Sequence, residues 1–273
     1  MICLASEHTK SDVRQLWKTC FDDTDDFIEL YFSEKYKSEN TLIYVEDGKI
    51  VSSLQMLPYT ITFYGEKIPV YYLSGLCTLP EHRAKGYIKQ LMEAARNEMK
   101  RRDIPLSILI PANESLYRFY ECHGYQQVFE KDDTPIPLKQ IITEHSCLED
   151  VYTVFDRRFQ QKDFCVQKTF DDFKTIVREY NLDGCPPKTN LSGMARVMDV
   201  DYLFRLYKRH NPTVDFDIAV CESDVKADFT TNKLTADIRT LCRLLFGFRT
   251  NELGEKFATY FPRQNTVMNL MLE

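Results

Sequence analysis

Near the N-terminus, apolar positions recur at helical spacing. Val13, Leu16, Trp17 and Cys20 fall three or four apart, and Phe27, Ile28, Tyr31 and Phe32 follow, so residues 11 to about 38 are expected to form one or two helices. From residue 41 the period shortens to that of a strand. The runs 41–45 and 50–57 flank Glu46-Asp47-Gly48-Lys49, a hairpin signal because Gly supplies positive φ in the turn. A second pair, 60–64 and 68–78, surrounds Gly65, and Gly75 interrupts the later run in a way that marks a bulge or a close backbone approach. After Gly86 the residues Ile88, Leu91, Met92, Ala95 and Met99 share one helical face, while Lys89, Glu93, Arg96 and Lys100 take the other. A strand at 106–110 then leads to Asn113, the expected N-cap of a helix carrying Leu116, Tyr117, Phe119 and Tyr120; Gly124 ends that helix before a strand at 125–129.

Beyond this point the pattern changes. Pro135 and Pro137 mark a boundary, helices are expected at 147–159 and 170–180, and Asp183-Gly184-Cys185-Pro186-Pro187 breaks the chain again. Strand-like runs at 194–198, 216–221 and 226–229 then alternate with helices at 200–207 and 235–245. The expected organisation is an α/β domain over 1–135, a helical connector over 136–188 and a small α+β domain over 189–273.

Composition narrows the function classes. With 44% hydrophobic and 28% charged residues the chain reads as globular. A net charge of −6 argues against a nucleic-acid partner, which needs clustered Lys and Arg to displace counterions. The longest apolar runs are too short to span a bilayer, and the first residues lack the basic stretch and long apolar core of a secretory signal. The nine cysteines are scattered, with no C-x-x-C pair, so neither a disulfide framework nor a metal site is expected. These features lead to the expectation of a cytoplasmic protein with reduced thiols.

The segment richest in chemistry is Pro80-Glu81-His82-Arg83-Ala84-Lys85-Gly86-Tyr87-Ile88, between a strand and an amphipathic helix. A diphosphate needs converging backbone N–H donors with little side chain in the way, and a loop entering a helix N-terminus supplies them. Gly86 lets the backbone close in, and Arg83, Lys85 and Lys89 add positive charge. Taken alone, R-x-x-G before a helix equally fits a capped surface helix. The second half of the signal is Asn113 followed, seven residues on, by Tyr120-Glu121-Cys122-His123-Gly124-Tyr125.

TLPEHRAKGYIKQLM and N-x6-Y-E-x-x-G-Y, in this order and separation, resemble the GCN5-related N-acetyltransferases over roughly residues 1–130. The resemblance implies a mixed central sheet, flanked by helices, whose parallel strands splay apart, with acetyl-CoA as co-substrate and no metal. It places the pantetheine and thioester carbonyl on backbone groups of Leu76, Cys77 and Thr78. The diphosphate falls to the amides of Ala84, Lys85, Gly86, Tyr87, Ile88 and Lys89, with Arg83 and Asn113 completing the cofactor-binding set. Tyr120 then stands near the CoA sulfur as general acid while a primary amine attacks the thioester directly.

One departure is informative: Ile88 stands where the family often has a small residue. The form H-R-x-x-G followed by two bulky residues and then L-M resembles the enhanced intracellular survival branch, which carries a C-terminal domain like sterol carrier protein. That resemblance implies a sterol-carrier-like fold for 189–273, with 136–188 as the remnant of a second acetyltransferase domain. It also implies that the free C-terminal carboxylate, here that of Glu273, acts as base, although the apolar tail NTVMNLMLE equally fits a strand finishing the C-terminal sheet. The acidic cluster Asp25, Asp26 and Glu29 is expected to attract a cationic acceptor, against the simpler reading of a solvated helix face. The partner is then a small-molecule or peptide amine, with no membrane or nucleic acid, and a homo-oligomer is compatible with the sequence. Tyr117, His82 and His123 read as structural or bystander residues, and Cys77 lacks the His–Asp arrangement of a nucleophile. The rival reading is a non-catalytic sensor or scaffold binding acyl-CoA or lipid, which has no use for an acid at Tyr120.

Overall fold

The computed structural model describes residues 1–221, 225–230 and 232–272. β1 (Ile2–Leu4) opens the chain, and helices α1 (Lys10–Cys20) and α2 (Asp25–Glu34) follow where the helical period predicts them. Thr24 separates the two, its hydroxyl accepting the Phe27 amide at 3.2 Å as the N-cap of α2. Their inner faces bury Val13, Leu16, Trp17, Ile28, Tyr31 and Phe32.

β2 (Thr41–Glu46), β3 (Lys49–Phe63) and β4 (Glu66–Thr78) form a meander. Its two tight turns place Asp47 and Gly48 at φ 49° and 76°, and Tyr64 and Gly65 at 48° and 74°. Two successive positive φ values match the twist of the flanking strands. Then come α3 (Tyr87–Arg101), β5 (Leu106–Leu109), α4 (Ser115–Glu121) and β6 (Gln126–Phe129). β7 (Asp132–Ile136), α5 (Leu138–Glu144), α6 (Leu148–Asp156), β8 (Cys165–Gln167), α7 (Phe170–Leu182) and β9 (Lys188–Asn190) make up the middle of the chain. β10 (Gly193–Val197), α8 (Val200–His210), β11 (Asp217–Cys221), β12 (Asp228–Thr230), β13 (Lys233–Asp237), α9 (Ile238–Leu245) and α10 (Glu255–Tyr260) complete it.

The main sheet has eight strands, ordered β1-β2-β3-β4-β5-β10-β6, with β8 added onto β3. β4 and β5 are its parallel neighbours, paired only from Val70–Leu106 to Tyr72–Ile108. β4 continues to Thr78 without a partner on that side, so the sheet opens there as a splay. β10 lies antiparallel to β5 on one edge and to β6 on the other. A strand from 189–273 and one from 136–188 therefore belong to the sheet begun by 1–135. Prolines mark where a chain turns, whereas strand pairing is non-local and ignores them.

α5, α6 and α7 enclose a separate apolar cluster that includes Phe155, Phe159 and Phe173. β11, β13 and β12 form a three-stranded sheet beside α8 and α9. Here one expectation is corrected. Residues 235–237 are strand, and α9 begins only after Asp237, whose carboxylate accepts the Arg239 and Thr240 amides at 2.9 and 3.1 Å. A helix-compatible composition at 235–237 yields to pairing with β11.

The last described residues run inward. Val166 N–H donates to Val267 O at 3.1 Å, Val267 N–H to Phe164 O at 2.9 Å, and Val267 through Leu272 are buried. Glu273, the expected base, lies outside the described residues. No described helix is long and apolar enough to cross a membrane.

Candidate active site

The splay is shaped by a bulge. β3 and β4 pair Ser53 with Cys77 and next Gln55 with Ser74, so Gly75 and Leu76 together face Leu54. Gly75 has φ +60°, and a Cβ there would lie 2.5 Å from Trp17 Cζ3. Both the backbone and the Trp17 ring thus require Gly, and the bulge redirects Leu76, Cys77 and Thr78 toward the opening. Gly75→Ala is expected to lower the unfolding free energy by about 2–4 kcal/mol, combining left-handed strain with overpacking. Chemical denaturation checks this; an unchanged midpoint would mean that the strand moves freely off Trp17.

The next loop turns twice into left-handed backbone, at Ala84 (φ 62°) and at Gly86 (φ 81°), which caps α3. No side chain caps this N-terminus and its first turn has no acidic residue, so the leading amides and the helix dipole remain available to an anion. A Cβ on Gly86 would meet nothing within 4 Å; the positive φ, not crowding, selects Gly.

α4 forms the facing wall. Asn113 Oδ1 accepts the Ser115 amide at 3.1 Å and the Ser115 hydroxyl at 2.6 Å, so its capping acts one residue ahead of the helix. At the other end Gly124 (φ 79°) closes the helix, with Tyr125 N–H donating to Tyr120 O at 3.1 Å. Tyr120 is thereby held in the last turn, only 7% exposed. Burial, with a smaller effect of Tyr125, pushes its phenol up to about 12.

Between these walls lies a cleft of about 620 Å³. Leu76, Cys77 and Thr78 line it from β4, Arg83, Ala84, Gly86, Tyr87, Ile88 and Lys89 from the loop and α3, and Asn113 and Tyr120 from the α4 side. Lys85 turns away to Glu46, 3.4 Å from Oε2, outside the lining. Asp25, Asp26 and Glu29 are not brought to the cleft: they lie exposed on α2, Asp25 paired with Lys18 at 2.5 Å and Glu29 with Arg14 at 2.8 Å.

Sequence reasoning missed Cys20 and Phe21, which line the cleft from the end of α1. Hydrogen bonding from the Cys77 thiol, aided by Arg83 and opposed by partial burial, brings the Cys20 thiol down to about 7, while Cys77 is pushed up. No local pattern announces this pair, because only the docking of α1 over the bulge brings the two thiols together. Beside the bulge, Tyr31 Oη also lies 3.0 Å from Ser74 Oγ and 3.2 Å from Gln55 Oε1. Among the described residues no group of three or more His, Cys, Asp or Glu is arranged to hold a metal.

Residues 2–128 match the family model described as an acetyltransferase (GNAT) domain. A probable N-acyltransferase from Enterococcus faecalis superposes with a TM-score of 0.66 at 13% identity, covering 98% of this chain and 97% of its own. A GCN5-related N-acetyltransferase from Anabaena variabilis gives 0.62 at 13% identity, with 99% and 97% covered. Eis1 from Mycobacterium abscessus gives 0.57 at 10% identity, with 100% and 99% covered. No curated protein matches the sequence. The structural likenesses show a shared fold along the whole chain, and over residues 2–128 the sequence is similar to the acetyltransferase (GNAT) domain.

Proposed function

We propose that the protein is an N-acetyltransferase that holds acetyl-CoA in this cleft and moves its acetyl group to a primary amine by direct attack. The supporting observation is convergence: the bulged end of β4, the uncapped N-terminus of α3 and the Tyr120 phenol all face one cleft of about 620 Å³. The diphosphate lies against the amides from Ala84 to Lys89, and the pantetheine follows the unpaired side of β4 in the splay. The thioester carbonyl then meets the backbone near Leu76, where N–H donors stabilise the oxyanion. The amine adds to the carbonyl carbon, the C–S bond breaks, and the amide product keeps the acetyl group.

Tyr120 serves the leaving sulfur. Its hydroxyl has no hydrogen-bond partner among the described residues, so it is available to a ligand. At about 12 it stays protonated at working pH. Complete transfer to a thiolate of pKa about 8.5 is uphill, so its main contribution is a hydrogen bond that strengthens as charge develops on sulfur. Such a donor favours an enzyme over a sensor that only binds acyl-CoA.

For the base, the reading assigns a carboxylate of Glu273. In support, the chain leading to it is drawn into the interior, with Met271 7% and Leu272 4% exposed rather than frayed. Deleting Glu273 should lower kcat while leaving the KM for acetyl-CoA unchanged; equal kcat removes it from the reaction. The acceptor is a small-molecule or peptide amine.

Calorimetric titration with acetyl-CoA, paired with thiol release over a panel of amines, tests the whole reading. Saturable binding with amine-dependent CoA release supports it, and absence of binding overturns it. Cys20 offers an independent probe, since its thiol is lowered to about 7 inside the cleft. Maleimide labelling followed by peptide mapping should show Cys20 modified rapidly at neutral pH and shielded by acetyl-CoA, with exposed Cys3 and Cys147 unaffected by the ligand. Labelling of Cys20 indifferent to acetyl-CoA would put the ligand elsewhere.

A further inference from the structure

A second cavity, of about 790 Å³, shares no lining residue with the acyl-CoA cleft. It lies where the later turns of α3 face the end of α4, β10 and the start of α9. Four basic side chains, Arg96, Lys100, Arg196 and Arg239, line it against the carboxylates of Glu93, Glu121 and Asp237, in a chain whose net charge is −6. Arg196, from β10, reaches over Gly124 and donates through Nη1 to His123 O at the C-terminus of α4. Room for the guanidinium is built into the chain: at Gly124 a Cβ would lie 1.5 Å from Nη1, and φ is +79°. Arg196 Nε is buried and has no hydrogen-bond partner among the described residues.

Arg96 lines the same cavity from α3, close enough that its charge opposes that of Arg196. Neither arginine has an ion-pair partner among the described residues. The nearby carboxylates do not neutralise them. Asp237 is engaged by the α9 amides and lies 3.7 Å from Arg239, while Glu93 is exposed on the outer wall and Glu121 pairs with neither arginine. A cation at the end of α4 accounts for the bond from Nη1. It does not account for a second guanidinium lining the same cavity. Two like charges without an ion-pair partner among the described residues destabilise the empty cavity, and an anion between them offsets that. A guanidinium fork matches phosphate oxygens in pairs.

We propose that Arg96 and Arg196 form a binding site for the phosphate group of a small molecule, separate from the acyl-CoA cleft in its lining residues. The site stands whether or not the cleft is catalytic. The phosphate belongs either to an independent phosphorylated ligand or to the ribose 3′-phosphate of a CoA whose nucleotide follows α3.

Inorganic pyrophosphate titrated calorimetrically into the full chain, at constant ionic strength, tests it. Saturable binding is expected, weakened about tenfold or more in both Arg196→Gln and Arg96→Gln and unchanged in Arg14→Gln. Arg96→Gln alters a half-buried helix position without an ion pair, so folding does not confound the comparison. Displacement by acetyl-CoA but not by its 3′-dephospho form assigns the phosphate to the cofactor, and displacement by neither assigns it to a separate ligand; both outcomes support the arginine pair. Absence of saturable binding at millimolar pyrophosphate overturns the proposal. So does equal affinity in wild type and both variants, the result expected if pyrophosphate occupies only the amides of the cleft.

Discussion

On the proposed reaction, Tyr120→Phe is expected to lower kcat for amine acetylation by about 100-fold or more, while the KM for acetyl-CoA stays within a small factor of wild type. The ring packs beside Tyr125 and Phe119 at centroid distances of 6.1 and 5.2 Å, and Phe keeps those contacts. The hydroxyl bonds no described residue, so removing it leaves no broken network. What the proposed reaction would lose is a donor to the sulfur, whose charge is far larger in the transition state than in bound acetyl-CoA. A phenol at about 12 adds no descending limb to the pH–rate profile below about pH 11. Steady-state kinetics across pH measures both features. Equal loss in kcat and in acetyl-CoA affinity would reassign Tyr120 to binding, and an unchanged kcat would remove it from the chemistry.

Lys168→Met is expected to stabilise the fold, by up to about 5 kcal/mol at neutral pH. Lys168 is 4% exposed, its Nζ lying 2.8 Å from Met271 Sδ and 4.3 Å from the centre of the Tyr59 ring. The nearby carboxylate of Asp172 is already paired with Lys35. Burial therefore dominates and brings the lysine from its ordinary 10.5 down to about 7. At and below pH 7 the unfolded chain holds the proton without penalty, whereas the folded chain must bury the charge or release it. Between about 7 and 10.5 the unfolded state binds the extra proton, so the stability of the wild type rises with pH through that window. Above it the lysine is neutral in both states and the penalty is gone. Methionine, of similar length and without charge, removes the penalty throughout. The stability difference between variant and wild type should thus be largest near pH 7 and shrink toward pH 10. Urea unfolding of both proteins between about pH 6 and 10 provides the measurement, and a difference that does not vary with pH would show that Lys168 is not desolvated.

The local pattern of the sequence is enough to determine the hairpins at Asp47-Gly48 and Tyr64-Gly65, the amphipathic helix α3 and the bulge at Gly75. Each depends on residues close in sequence, through positive φ or a repeating apolar face. That the loop before α3 and Tyr120 line one cleft was legible for the same reason: loop, helix start and helix end are each short motifs, and their order along the chain is itself a signal. Other features were decided only in tertiary structure. β10 enters the main sheet between β5 and β6, because edge pairing is set by partners far away in sequence. Asp25 and Glu29 spend their charge on Lys18 and Arg14 rather than facing the cleft, because the relative rotation of α1 and α2 chooses their neighbours. Cys20 reaches Cys77, Arg96 reaches Arg196, and Lys168 loses its water through contacts between elements distant in the chain. Periodicity reports which face of an element is apolar; what that face meets, and so which charges are desolvated or left unpaired, is a property of packing.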